Sequence, residues 1–125
     1  MAFLTPYRVE LLEERRAGRL CWRLLEPLVY ESEVAGRKIT VPAGFVHDGE
    51  SIGIRLRSFT GVDCLRAGTV HDYLYAFHVI DGETIERYLA DLVYEEACVA
   101  EGLDPVFSRQ RYNAVSFYGG SHWDT

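Results

Sequence analysis

Long apolar runs are missing from this sequence. None approaches the ~18 consecutive apolar residues that a membrane-spanning helix needs. The first residues, 1–8, also lack the basic start and the apolar stretch of a signal peptide. From these two absences we expect a soluble protein with neither a membrane span nor an export signal.

Cysteine is scarce, and the spacing of the cysteines does not indicate a metal site. The three cysteines, Cys21, Cys64 and Cys98, are odd in number and form no Cys-x-x-Cys pair. This pattern favours buried thiols in a reducing compartment over a disulfide framework or a zinc knuckle.

Positive charge is also in short supply. Thirteen basic residues face 19 acidic ones, which gives a net charge of -6 and a pI near 5.2. A protein whose main partner is nucleic acid needs a basic surface, so this balance argues against that class. The 48% hydrophobic and 26% charged composition is that of an ordered protein, and 125 residues predict a single domain, 1–125.

The first third of the chain alternates polar and apolar residues, as strands do. Residues 8–13 and 19–25 predict a hairpin, with Ala17 and Gly18 as its turn. A single helix over 9–25 is the alternative, and Gly18 in its middle counts against it. Further strands are expected at 28–32, 38–41 and 45–46, which together make an antiparallel meander.

The most apolar helical run lies near the middle of the chain. A helix over 63–78 would bury a stripe at helical spacing formed by Ala67, Val70, Leu74 and Phe77. His71 and Tyr75 then lie beside that stripe, one turn apart.

Two more helices are expected after it. One spans 85–101, with Thr84 as its N-cap and Gly102 just past its end. Its apolar face would carry Ile85, Tyr88, Leu89, Leu92, Glu96 and Val99. The last spans 106–118, with Phe107, Tyr112, Val115 and Phe117 as candidates for burial. The order predicts an α+β fold: an N-terminal antiparallel β-meander followed by about three helices packed on one face.

An adjacent His-Asp pair interrupts the central helix where a plain core helix would carry apolar residues. Burying the His71 imidazole or the Asp72 carboxylate alone is costly, so both need partners. Asp48 and Ser51 follow a strand end, and Asp91 lies at the margin of the second helix's apolar face. These side chains are the candidate site.

Four separated stretches carry a family resemblance. They are Val41-Pro-Ala-Gly-Phe45, Asp48 with Ser51-Ile52, Val70-His-Asp-Tyr-Leu-Tyr75 and Ala90-Asp91. Together they resemble the DUF1353 family, small proteins found mostly in tailed bacteriophages and prophages, for which no biochemical function is settled. Two positions depart from the family pattern: His47 replaces the usual Thr, and Gly53 replaces a Pro.

One interpretation of these residues is a metal-dependent hydrolase, possibly peptidase-like and directed at a cell wall or another host polymer. Asp48, His71, Asp72 and Asp91 would surround a single divalent ion such as Zn, Mn, Fe or Mg, with His47 as an additional candidate. His71, Asp72 and Ser51 are its catalytic candidates. Residues 49–53 also match the letters Gly-x-Ser-x-Gly, but no parallel βαβ setting surrounds them, so we treat the match as chance.

The other interpretation is a buried polar network that ties the sheet to the helices and performs no chemistry. The protein would then be a virion component, in a tail, neck or tail tip, or an assembly factor. Its partners would be phage structural proteins or a host factor, and its location the host cytoplasm or the virion. From the residues alone we predict the metal-dependent hydrolase, and the virion or assembly component is the alternative.

Overall fold

The computed structural model describes residues 1–16, 18–47 and 64–123. Strands fill the first two ranges, and helices dominate the third. The strands are β1 (Ala2–Phe3), β2 (Val9–Arg16), β3 (Arg19–Leu24), β4 (Leu28–Ser32), β5 (Arg37–Val41), β6 (Val46–His47), β7 (Val79–Ile80) and β8 (Glu83–Thr84). The helices are α1 (Leu65–Phe77), α2 (Arg87–Ala100), α3 (Pro105–Tyr118) and the short α4 (Gly120–Trp123).

The N-terminal strands form two antiparallel sheets of three strands each. In one sheet the order is β1-β4-β5, and in the other it is β2-β3-β6. The predicted hairpin is confirmed, because Val9 lies opposite Leu24 and Arg16 opposite Arg19. The helical alternative for this stretch is therefore excluded.

The helices α1 and α2 pack on the β1-β4-β5 sheet and on each other, and α3 packs on α2. The fully buried apolar side chains at this junction come from β4, β5 and all three long helices; they include Leu28, Tyr30, Val41, Val70, Leu74, Val93, Tyr94 and Val115. The predicted α+β class, with antiparallel strands followed by three helices, is confirmed. All three cysteines are buried, as expected, and none of them forms a disulfide.

Large aromatic residues at the helix ends are more exposed than the spacing predicted. Phe77 is 55% exposed at the last position of α1, and Phe107 and Phe117 are exposed on α3. Those three burial predictions are wrong. Phe77 instead contacts the rings of Tyr73 and Phe45 beside the core, since the helix ends there and His78 takes a left-handed φ of 59°.

The second helix begins later than predicted and buries a different face. Thr84 belongs to β8 rather than to an N-cap, and Asp81-Gly82 is the turn of the small β7-β8 hairpin. The buried face consists of Ala90, Asp91, Val93, Tyr94, Ala97 and Cys98. Three of these residues, Ala90, Ala97 and Cys98, have small side chains, which a search for large apolar residues overlooks.

In the ranges that the structure describes, no helix is long and apolar enough to cross a membrane.

Candidate functional site

His71 and Asp91 meet in the buried seam between α1 and α2. His71 lies in the middle of α1, and Asp91 lies in the second turn of α2 on the face that packs against it. The His71 Nε2 atom donates a hydrogen bond of 2.9 Å to Asp91 Oδ1. His71 is 9% exposed and Asp91 only 1%, so the pair is nearly closed to solvent.

The Asp91 carboxylate serves several donors at once. Tyr75 Oη donates to Oδ1 at 2.7 Å, and Ser116 Oγ donates to Oδ2 at 3.3 Å. The Arg87 guanidinium lies 3.9 Å from Oδ2, one helical turn earlier on α2. A carboxylate has about four acceptor positions, and hydrogen bonds from the protein occupy three of those of Asp91, two on Oδ1 and one on Oδ2. We call Asp91 and its four neighbours the Asp91 network; the neighbours are His71, Tyr75, Arg87 and Ser116.

Aromatic rings enclose the imidazole of His71. The ring centroids of Tyr75 and Tyr94 lie 4.3 Å and 4.8 Å from it. Burial raises the pKa of Tyr75 above its usual value, and the hydrogen bond to Asp91 raises it further. The Tyr75 hydroxyl is therefore protonated at neutral pH and donates a hydrogen bond. The hydroxyl of Tyr94 is buried without a hydrogen-bond partner among the described residues.

Asp72 is associated with a second polar cluster, which joins the N-terminal segment to α1. Its charge acts on Tyr7, whose hydroxyl lies 2.9 Å from Thr69 Oγ1. Burial raises the pKa of Tyr7 to about 12, and the negative charges of Glu101 and Asp72 contribute to that rise. Asp72 is one residue from His71, or about 100° around the helix, so the two adjacent side chains leave α1 in different directions.

His47 belongs to this second cluster. It is buried at the end of β6, and its Nε2 atom lies 2.8 Å from Tyr7 Oη. Thr69 Oγ1 also lies 3.2 Å from His47 Nε2, and it donates to the carbonyl of Leu65 at 2.8 Å. Tyr7, His47 and Thr69 therefore form one hydrogen-bonded cluster that is joined to the backbone of α1. His47 is thus a buried anchor between sheet and helix rather than an exposed residue.

A comparison with family profiles matches residues 22–115 to the family described as "Protein of unknown function (DUF1353)". The chain belongs to the DUF1353 family. Neither a search of curated proteins nor a search of solved structures gave a significant match.

The geometry divides the motif residues of this DUF1353 protein into separate groups. His71 and Asp91 are brought together, while Asp72 acts on Tyr7. Asp48 and Ser51 lie outside the described residues. Among the residues described, no group of three or more His, Cys, Asp or Glu side chains could hold a metal ion. The four-ligand set therefore stays a prediction, and the three hydrogen bonds that Asp91 already accepts suit a supporting carboxylate better than a ligand.

Sequence reasoning missed several members of both clusters in this DUF1353 protein. Tyr7, Thr69, Arg87 and Ser116 carry no motif of their own. The one available signal was the i, i+4 spacing of Arg87 and Asp91 on a single helix. Tyr7 and Ser116 come from elements distant in sequence, and Thr69 lies on α1 but contacts such an element, so no local pattern could have indicated these contacts.

Proposed function

We propose that this protein is a non-enzymatic structural or assembly component of a bacteriophage particle, in which the His71–Asp91 pair is a structural clamp. The phage setting is what the family resemblance implies. The observation that carries the clamp role is that Asp91 accepts hydrogen bonds from His71, Tyr75 and Ser116 while it is only 1% exposed. A network that needs no ligand to satisfy its buried charge is suited to fixing one arrangement of helices.

Exposed aromatic residues on α2 and α3 support a contact role. Tyr88, Phe117 and Tyr118 are all more than half exposed, and the last two rings contact each other at 4.7 Å. Aromatic side chains are enriched in protein interfaces because they bury much area at little entropic cost. They give an assembly component side chains with which to bind its neighbours.

The test of the assembly role is stoichiometric association with particles. Phage particles from a lysogen or lysate that encodes this protein are purified by density gradient and analysed by quantitative mass spectrometry. We expect a fixed copy number of the protein per particle. Deletion of its gene should prevent the assembly of complete particles. Absence from purified particles, with normal assembly after deletion, would contradict the proposal.

A second candidate, a metal-dependent hydrolase, is supported by the orientation of His71. A neutral imidazole that donates from Nε2 has an unprotonated Nδ1, which can accept a proton or bind a metal. The carboxylate of Asp91 would hold the ring in that tautomer, and Asp72, Asp48 and Ser51 would supply the remaining groups. This arrangement is that of a histidine ligand supported by a second carboxylate.

Metal analysis separates the two candidates. The protein is purified without chelator or nickel resin and compared with the His71→Ala variant. The clamp role predicts no bound metal in either protein and a clearly lower melting temperature for the variant. About one equivalent of zinc, manganese or iron in the parent, lost in a variant of unchanged stability, would favour the hydrolase.

A further inference from the structure

The segment after α3, residues 119–123, lies directly over Tyr75. We call it the strap. Gly119 is buried, and its backbone is so close to the Tyr75 hydroxyl that a methyl group on Gly119 would overlap that oxygen. The indole of Trp123 packs edge-on against the Tyr75 ring, with centroids 5.1 Å apart and an interplanar angle of 86°. The strap therefore contacts Tyr75 at both its hydroxyl and its ring.

A stacking contact holds the end of the strap. Trp123 lies parallel to the His78 imidazole, with ring centroids 3.7 Å apart and planes within 8°. His78 takes its left-handed conformation at the end of α1, which turns its side chain out of the helical register. The strap thus bridges from the end of α3 to the end of α1.

Beneath Tyr75 lies the buried pair described above. The Tyr75 ring packs on His71 at 4.3 Å, and its hydroxyl donates to Asp91. We propose that the strap is a lid whose docking, latched by the Trp123–His78 stack, controls solvent access to Tyr75 and the Asp91 network. Its undocking opens the network while the sheet and long helices stay folded. This inference holds whether the network is a clamp or a catalytic site.

Tyrosine nitration with tetranitromethane, mapped by mass spectrometry, tests the lid. In the parent protein Tyr75 should be protected, while the exposed Tyr88 and Tyr118 react and calibrate the reagent. Trp123→Ala should increase the nitration rate of Tyr75 by about tenfold or more, as expected for local opening. The matched control is Phe117→Ala, which removes an exposed aromatic of α3 and should leave Tyr75 protected.

Tyr30, buried in the sheet core, reports on general loosening of the fold. His78→Ala is a milder second variant, because it removes only the stacking partner of Trp123. The lid requires that Tyr75 become reactive in both variants while Tyr30 stays protected. Unchanged protection of Tyr75, or a gain in its reactivity only in step with Tyr30, would overturn it.

Discussion

At the scale of single residues, Asp91 connects three helices of the described part of the chain through one side chain. One carboxylate, 1% exposed, accepts hydrogen bonds from α1 through His71 and Tyr75 and from α3 through Ser116. A buried charge is tolerated only when donors replace the water it has lost. One buried side chain of α2 therefore joins that helix to both α1 and α3.

Replacement of Asp91 by Asn should be strongly destabilising. The amide keeps one acceptor oxygen but turns a donor NH2 toward Ser116 or Tyr75, and it removes the charge near Arg87. We expect a loss of about 2–4 kcal/mol in the free energy of unfolding, measured by urea denaturation.

The matched control is Glu95→Gln on the same helix. Glu95 pairs at 2.9 Å with Arg109, whose side chain is mostly exposed, so its loss should cost about 1 kcal/mol or less. Equal losses in the two variants would show that Asp91 has no special structural role.

At the scale of elements, two carboxylates on or just after α2 accept hydrogen bonds from α1 and from the sheet. The N-terminus of α1 has no side-chain cap of its own and no acidic residue in its first turn. Glu101, just past α2, accepts a hydrogen bond of 2.6 Å from the backbone N–H of Ala67. Farther up α2, Glu96 accepts from Tyr30 and Ser32 of β4. These two carboxylates dock α2 onto a helix end and onto a strand.

Glu101→Ala should cost about 1–2 kcal/mol of unfolding free energy, because it removes the cap of α1. Glu101→Gln keeps an acceptor oxygen and should stay within about 0.5 kcal/mol of the parent at neutral pH. Burial raises the pKa of Glu101, so the ionised form is disfavoured in the folded state. Stability due to this group therefore falls as pH rises through that pKa.

Urea denaturation at a series of pH values checks both statements. Relative to Glu101→Gln, the parent should gain stability as the pH is lowered through the titration of Glu101. A parent that instead loses stability relative to the Gln variant in acid would show that the cap works mainly through its charge.

At the scale of the whole molecule, three tyrosine hydroxyls join elements that are distant in sequence. Tyr7 links the N-terminal segment to α1, Tyr30 links β4 to α2, and Tyr75 links α1 to α2. Burial is the largest cause that raises the pKa of each one, to about 12 for Tyr7. The fold therefore depends on protonated phenols at several of its junctions.

Stability should consequently fall in alkaline solution. A phenol with a raised pKa in the folded state contributes its full stability below about pH 10, the value in the unfolded chain, and loses it as pH rises toward the folded value. For Tyr7 that window is between about 10 and 12. Unfolding free energies across this range should decline less steeply in Tyr7→Phe than in the parent, with tyrosinate absorbance as a parallel measurement. Identical slopes would contradict the assignment.

The sequence by itself determined the fold class and most element positions. Alternation with Gly18 at the turn predicted the β2–β3 hairpin, and apolar spacing placed α1 within one or two residues at each described boundary. These features depend on neighbours along the chain, whose hydrogen bonds and periodicity a sequence displays directly. The family membership likewise followed from short motifs.

Only the tertiary structure decided how the polar residues combine. His71 and Asp72 are adjacent in sequence, yet one bonds to Asp91 and the other acts on Tyr7. Phe117 is a large apolar residue of the kind usually found in a core, yet it is 79% exposed. Burial and pairing depend on which helix faces meet, and these contacts are non-local. The sequence therefore indicated which polar residues are candidates for the site, and the packing of the helices determined which residues they contact.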